Sequence, residues 1–143
     1  MYLHAGIEEP DEPERRLATE LGLDGDVRFL GAVGDVPRLL HAADAFVMPS
    51  LYEGFGVAAV EALASGLPAV FADVPGLCDF KYRFADIAYC EPTAESIAAA
   101  LQRLMGLPSA ERARIARTQA DSARRHYGIE RGVQEYVRIY RKS

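Results

Sequence analysis

Two glutamates, Glu53 and Glu61, lie eight positions apart across a turn that contains two glycines. A carboxylate in a cleft can accept hydrogen bonds from the hydroxyl groups of a ligand. The helical neighbours of Glu61, three and four positions away, are all small or apolar: Val57, Ala58, Ala64 and Ser65. In the structural alternative, Glu53 only favours a helix dipole and Glu61 is a surface charge. Spacing alone slightly favours the structural alternative.

The turn between the glutamates has the pattern of a phosphate-binding loop. The apolar run at residues 45–48 predicts the end of a buried strand, which Pro49 closes because proline cannot donate to a sheet. Gly54 and Gly56 allow tight backbone conformations and close approach by a ligand. Residues 57–64 predict a helix, whose unpaired N–H groups and positive end would point at one spot.

These segments resemble the signature of retaining group 1 (family 4) glycosyltransferases. The resemblance is carried by residues 49–56 and 61–68, in which Glu53 and Glu61 match the two acids of the family's Glu-x7-Glu motif. Further similar segments lie on both sides, at residues 27–31, 35–40, 43–48, 75–77 and 91–93. An ordered run of matches over nearly the whole chain is far more specific than the motif alone, and it outweighs the spacing argument.

The resemblance implies a role for each site residue. Glu53 would be the catalytic residue that holds donor-sugar hydroxyls near the reacting carbon, and Glu61 would accept hydrogen bonds from the ribose diol. Leu30 and Gly31 would lie beside the nucleotide base. Charge on the leaving diphosphate would be stabilised by the N–H groups of Gly54, Phe55 and Gly56. The donor would be a UDP-, GDP- or ADP-linked sugar, the configuration would be retained, and no metal or cofactor would be needed.

The order of predicted elements indicates an α/β fold. Strands are predicted at residues 2–7, 27–30, 44–48, 69–72 and 87–90. Helices are predicted at residues 12–21, 35–42, 57–64, 94–105, 110–126 and 129–142, with Asp11, Thr93 and Ser109 as the candidate N-caps that precede three of them. Because the strands are continuously apolar and alternate with helices, we expect a doubly wound, Rossmann-like parallel sheet followed by C-terminal helices. Residues 73–84 receive no firm assignment.

We expect residues 1–143 to form a single nucleotide-sugar-binding domain, since the length suits one core. The resemblance implies the C-terminal half of a GT-B glycosyltransferase. It also implies that the first strand and helix, with the basic diphosphate clamp, and the N-terminal acceptor domain are missing, so the chain alone is expected to be inactive. In two-domain relatives the last helix packs on the first domain. Here its apolar stripe is expected to self-associate or fray: Val133, Tyr136, Val137 and Tyr140.

Composition excludes several classes of partner. A net charge of −5 and a pI near 5.2 argue against nucleic acid or an anionic membrane as the main partner. The two cysteines, Cys78 and Cys90, are too few for a disulfide framework or a zinc site and are typical of a reducing cytoplasm. A longer protein of this kind is expected in the cytoplasm, with peripheral binding to the inner face of the membrane left open.

Two other functions compete with transfer in polysaccharide or glycoconjugate synthesis. The first is a non-catalytic module that binds nucleotide weakly or serves as a partner surface, which the absent basic clamp and the acidic cluster at residues 8–14 favour. The second is a sugar-nucleotide epimerase or phosphorylase of related architecture. It ranks lower because the loop and helix match transferases in order and spacing.

Overall fold

Short strands and helices alternate along residues 1–8 and 10–141, the part of the chain that this computed structural model describes. The strands are β1 (Tyr2–His4), β2 (Val27–Phe29), β3 (Phe46–Met48), β4 (Ala69–Ala72) and β5 (Ala88–Cys90). The α-helices are α1 (Pro13–Glu20), α2 (Val36–His41), α3 (Val57–Ala64), α4 (Ala94–Gly106), α5 (Ser109–Tyr127) and α6 (Ile129–Tyr140). A 3-10 helix spans Cys78–Tyr82 in the segment that sequence left unassigned. Glu9 of the predicted acidic cluster and Lys142, the predicted end of the last helix, lie outside the described residues.

The candidate N-caps met different outcomes. Thr93 caps α4, because its hydroxyl oxygen accepts a hydrogen bond from the backbone N–H of Ser96 at 3.3 Å. The prediction for Asp11 was wrong, since Glu12 occupies the cap position of α1 in a left-handed conformation. The prediction for Ser109 was also wrong. The carbonyl of Pro108 already accepts the first helical hydrogen bonds of α5, so the helix begins one residue earlier than expected.

The chain divides into two compact units, of which the first comprises Met1–Val36. In this unit β1 and β2 pair in parallel, with Tyr2 opposite Val27. The guanidinium of Arg15, on α1, lies 4.7 Å from the centre of the Phe29 ring and pairs with Glu8 at 2.9 Å. This unit therefore has its own sheet and its own helix contact. The expectation that residues 1–143 form a single domain stays a prediction.

The second unit begins at Pro37 and contains a parallel three-stranded sheet in the order β3-β4-β5. Phe46 lies opposite Ala69 in the first pair of strands, and Phe71 lies opposite Tyr89 in the second. All four residues of the central strand β4 are buried. This is the outcome that its continuous apolar run predicted.

Helices cover both faces of this sheet. Phe71 points into a cluster formed with α3, the 3-10 helix and α5: Ala59, Leu63, Leu77, Phe80 and Ala123. The neighbouring Val70 belongs to a second cluster with β5 and α4: Cys90, Ala100 and Leu104. Successive side chains of a strand point to opposite faces, so one buried strand supplies both cores. The predicted doubly wound α/β fold with C-terminal helices is confirmed.

The last helix, α6, has no buried residue along Ile129–Tyr140. Its predicted apolar stripe is exposed to solvent, with Tyr136 67% and Tyr140 77% exposed. Within residues 1–8 and 10–141, no helix combines the length and the apolar character that crossing a membrane requires.

The Thr93 cap gives a test of local stability. We expect Thr93→Ala to lower the free energy of unfolding by about 1 kcal/mol, because the N–H of Ser96 loses its acceptor. Thr93→Ser keeps a hydroxyl and serves as the matched control. Urea unfolding followed by circular dichroism measures both variants. Equal stability of the alanine and serine variants would show that the cap contributes nothing.

Candidate functional site

The glycine-bearing loop at residues 49–56 connects the carboxyl end of β3 to α3. In open parallel sheets, ligands bind outside the carboxyl ends of the strands. The loop side chains beside this position are largely exposed, among them Leu51 at 77% and Tyr52 at 74%. The sequence therefore folds so that the predicted phosphate loop lies at the edge of the sheet where binding is expected.

Glu53 is half-buried in this loop and is held at two points. The hydroxyl of Ser50 donates a hydrogen bond to its carboxylate, with Oγ 3.1 Å from Oε1. The backbone N–H of Glu53 donates to the carbonyl of Pro75 at 3.4 Å. The loop thus orients the carboxylate, and the turn that follows β4 holds the backbone.

That turn approaches Glu53 so closely that it requires glycine at position 76. Gly76 has a φ of +86°, and a Cβ atom built there would lie 2.0 Å from the carbonyl oxygen of Glu53. The hydroxyl of Tyr89 donates to the carbonyl of Leu77 at 3.3 Å and ties the turn to β5. Burial, followed by the negative charge of Asp73, raises the pKa of Tyr89, so this hydroxyl remains a donor.

Gly56 is the cap residue of α3 and also has a left-handed conformation, with a φ of +76°. A Cβ atom at this position would lie 3.0 Å from Leu77 and 3.4 Å from Phe80. Among the described side chains, none caps the N-terminus of α3. The first N–H groups of this helix are therefore not satisfied by a capping side chain, as a site for an anion requires.

Phe55 lies between the two loop glycines and is half-exposed. Its ring centre lies 5.5 Å from that of Tyr127, the last residue of α5, and 6.0 Å from that of Phe80. Both separations fall in the range of favourable aromatic pairs. Sequence reasoning missed Tyr127, because the only signal was an aromatic residue where a helix ends before Gly128.

Glu61 is exposed on α3, on the face opposite the buried residues Ala59, Ala62 and Leu63. It is the fifth residue of the helix, about 6 Å along the axis from Val57. Its carboxylate is thus accessible, and the helix backbone fixes the direction in which the side chain leaves the helix.

Leu30 and Gly31 belong to the first unit. The N–H of Leu30 donates to the carbonyl of His4 at 2.8 Å, and the carbonyl of Gly31 accepts from the N–H of Gly6 at 2.9 Å. Leu30 is 40% exposed and lines a groove of about 300 Å³ beside Arg28. Among the described residues, no group of three or more His, Cys, Asp or Glu side chains is placed to hold a metal ion.

Comparison with known proteins identifies the family. Residues 2–121 match the family model described as glycosyl transferases group 1. The chain belongs to the group 1 glycosyltransferases. A curated relative, mannosylfructose-phosphate synthase of Agrobacterium fabrum, is 41% identical over 86 residues, which are 54% of this chain and 19% of that protein.

Solved structures show the same architecture. HepE of Anabaena, in a complex with UDP-glucose, superposes with a TM-score of 0.82 at 25% identity, over 99% of this chain and 40% of that one. The C-terminal domain of the group 1 transferase LpcC of Francisella tularensis superposes with a TM-score of 0.69 at 27% identity, over 85% of this chain and 66% of that one. The chain is thus similar to the C-terminal domain of a GT-B transferase, and it spans about a fifth of the curated relative.

The contact between Glu53 and Gly76 generates a stability test. Gly76→Ala should lower the free energy of unfolding by more than about 2 kcal/mol, because it adds a backbone clash to the cost of a left-handed residue.

Gly66→Ala is the matched control for this test. Its φ is +79°, but a Cβ atom there would meet nothing within 4 Å. It should therefore lose only the conformational cost, about 1–2 kcal/mol. If urea unfolding gives equal losses for both variants, the loop moves away from Gly76 without cost and the contact does not hold Glu53.

Proposed function

We propose that this chain is the donor-binding part of a retaining, family 4 glycosyltransferase. It would transfer a sugar from a UDP-, GDP- or ADP-linked donor to an acceptor in polysaccharide or glycoconjugate synthesis. The observation that carries the proposal is the loop holding Glu53, which leads from the carboxyl end of β3 into the N-terminus of α3. The UDP-glucose complex of the similar Anabaena protein supports a nucleotide sugar as the ligand.

Glu53 is proposed as the catalytic residue. Its half-buried carboxylate has one oxygen engaged by Ser50, which leaves acceptor capacity for hydroxyl groups of the donor sugar. Holding those hydroxyls would place the reacting carbon in position for attack by the acceptor. Attack on the same face that the diphosphate leaves would retain the configuration, and the leaving phosphate would take the proton of the acceptor.

The leaving diphosphate is proposed to be stabilised by backbone groups. N–H groups of the loop at Gly54, Phe55 and Gly56, together with the positive end of α3, would face the charge that develops as the bond breaks. Such donors act without transferring a proton. We propose that this electrostatic stabilisation meets the need that a bound metal would otherwise serve.

Glu61, Leu30 and Gly31 are proposed to bind the nucleoside. The exposed carboxylate of Glu61 would accept two hydrogen bonds from the ribose diol. Leu30 and Gly31 would contact the base, an assignment that comes from the family resemblance.

Titration of the 143-residue chain with UDP, GDP and ADP tests the proposal. We expect a dissociation constant of about 0.1–1 mM, or about −4 to −5.5 kcal/mol, for the preferred nucleotide. Glu61→Ala should lose about 1.5–3 kcal/mol of that affinity, since two hydroxyl groups lose a charged acceptor. The fold should be unaffected because alanine favours the helix.

Asp121→Ala is the control. It removes an exposed acid from the middle of α5 and should bind nucleotides as the wild type does. Dideoxyribonucleotides should bind as weakly to the wild type as ribonucleotides bind to Glu61→Ala. Unchanged affinity of the Glu61 variant would leave that glutamate a surface charge. Absence of binding by all three nucleotides would favour a non-catalytic module over a transferase.

We also propose that α6 provides a surface for association. Its stripe, formed by Val133, Tyr136, Val137 and Tyr140, is exposed to an extent unusual for four apolar side chains on one helical face. In a longer protein this stripe would pack on an acceptor domain. In the chain by itself it would pair with a second copy.

Light scattering tests the self-association. The wild-type chain should show a mass that increases with concentration, and the double substitution Tyr136→Lys with Tyr140→Lys should keep it monomeric, because charge replaces the exposed rings. Circular dichroism checks that the double variant keeps its fold. A wild-type chain that stays monomeric at high concentration, with α6 amides protected from hydrogen exchange, would contradict the proposal.

A further inference from the structure

The last turn of α5 contacts the donor loop from outside the signature motif. Tyr127 ends this helix, six residues beyond the part of the chain that matches the family model. Its ring centre lies 5.5 Å from that of Phe55 in an edge-to-face arrangement, with 66° between the planes. On its other sides it stacks on Phe84 at 6.0 Å and lies beneath the guanidinium of Arg83 at 5.6 Å. Tyr127 is thus held on several sides while it supports one loop residue.

Phe55 depends on such support more than most loop residues. Gly54 and Gly56 flank it, and glycines leave the backbone many accessible conformations. Half of the Phe55 surface is exposed, so its position is set by the two rings that it touches, Phe80 and Tyr127. Phe80 is fully buried in the core under the sheet. Tyr127 closes the other side of the contact.

We propose that Tyr127 is a positioning residue for the donor site, acting through Phe55 on the loop that carries Glu53. The inference rests on the proposed function, because it assigns the loop's N–H groups to the donor diphosphate. The ring of Tyr127 keeps Phe55 against Phe80, and this contact holds Gly54 and Gly56 in the conformation that directs their N–H groups to one place. The described contacts give the Tyr127 hydroxyl no hydrogen bond, so the ring alone performs this role.

A second contact from the last turn of α5 also holds α3 in place. The guanidinium of Arg124 donates to the carbonyl of Ala64, with Nη2 3.3 Å from the oxygen, at the C-terminal end of α3. One turn of α5 therefore contacts α3 just before its first residue and at its last residue. Helix α3 and the loop that precedes it are held as one piece by an element distant in the sequence.

The test compares Tyr127→Leu, Tyr127→Phe and Phe46→Leu in the 143-residue chain. Phe46 is a part-buried ring that packs on Phe71 in the same core, so its loss reports general destabilisation. The readouts are the amide NMR signals of Gly54 and Gly56 and the affinity for UDP, GDP and ADP. We expect Tyr127→Leu to shift both signals and to weaken nucleotide binding about threefold to tenfold. Tyr127→Phe and Phe46→Leu should leave both glycine signals at their wild-type positions. Their nucleotide affinities should stay within about twofold of the wild type.

Wild-type signals and affinity in Tyr127→Leu would overturn the inference, as would an equal effect of Phe46→Leu. If Tyr127→Leu does not fold, Phe55→Leu removes the same contact from the exposed side and should shift both glycine signals; unshifted signals would overturn it. If Tyr127→Leu and Phe55→Leu both fold, the double variant should lose less nucleotide affinity than the sum of the two single losses, because both substitutions remove the same contact. Failure of the proposed function is separate. It would appear as a wild-type chain that binds none of the three nucleotides, while the glycine signals still report whether Tyr127 positions the loop.

Discussion

The close approach between the carbonyl of Glu53 and Gly76 is the constraint on which the candidate site depends. No side chain fits at position 76, because the turn after β4 packs directly against the backbone of the loop after β3. This contact fixes the distance between the turn and the loop. The turn itself is tied to β5 by the hydroxyl of Tyr89, and it follows a strand that is buried on both faces. The sheet therefore holds the backbone of Glu53 in place through this turn, although the residue lies in a glycine-bearing loop.

Rigidity of this kind has a chemical use. Backbone donors stabilise charge in a transition state only if they already point at it, since reorganising them during the reaction would cost the energy that they supply. A loop with two glycines can adopt the required turn, but glycine does not hold a conformation by itself. The structure separates the two requirements. Gly54 and Gly56 permit the geometry, and contacts from Gly76, Phe80 and Tyr127 maintain it.

Local patterns could predict much of the fold, and tertiary contacts explain the rest. Both α3 and β4 have the predicted bounds, because an alanine-rich helix, a stop at Gly66 and a buried apolar run are local signals. The first strand was predicted to reach residue 7 but ends at His4, before Gly6 takes a φ of +151°. The motif glutamates followed from resemblance, whereas the supports of Glu53 did not. Tyr127 and Phe55 are 72 positions apart, and no periodicity connects them.

The two motif glutamates are held by different physical means. The last turn of α5 contacts both the loop that carries Glu53 and the helix that carries Glu61. Tertiary contacts define the backbone of Glu53, whereas the hydrogen bonds of α3 define the backbone of Glu61. Helix α3 has eight residues, a length at which an isolated helix is not stable in water, so packing must maintain it. The last turn of α5 supplies part of that packing, through Arg124 at the end of α3 and Tyr127 at the loop before it. The geometry of the motif is therefore a property of α3 and α5 together, and residues 49–68 alone would not keep it.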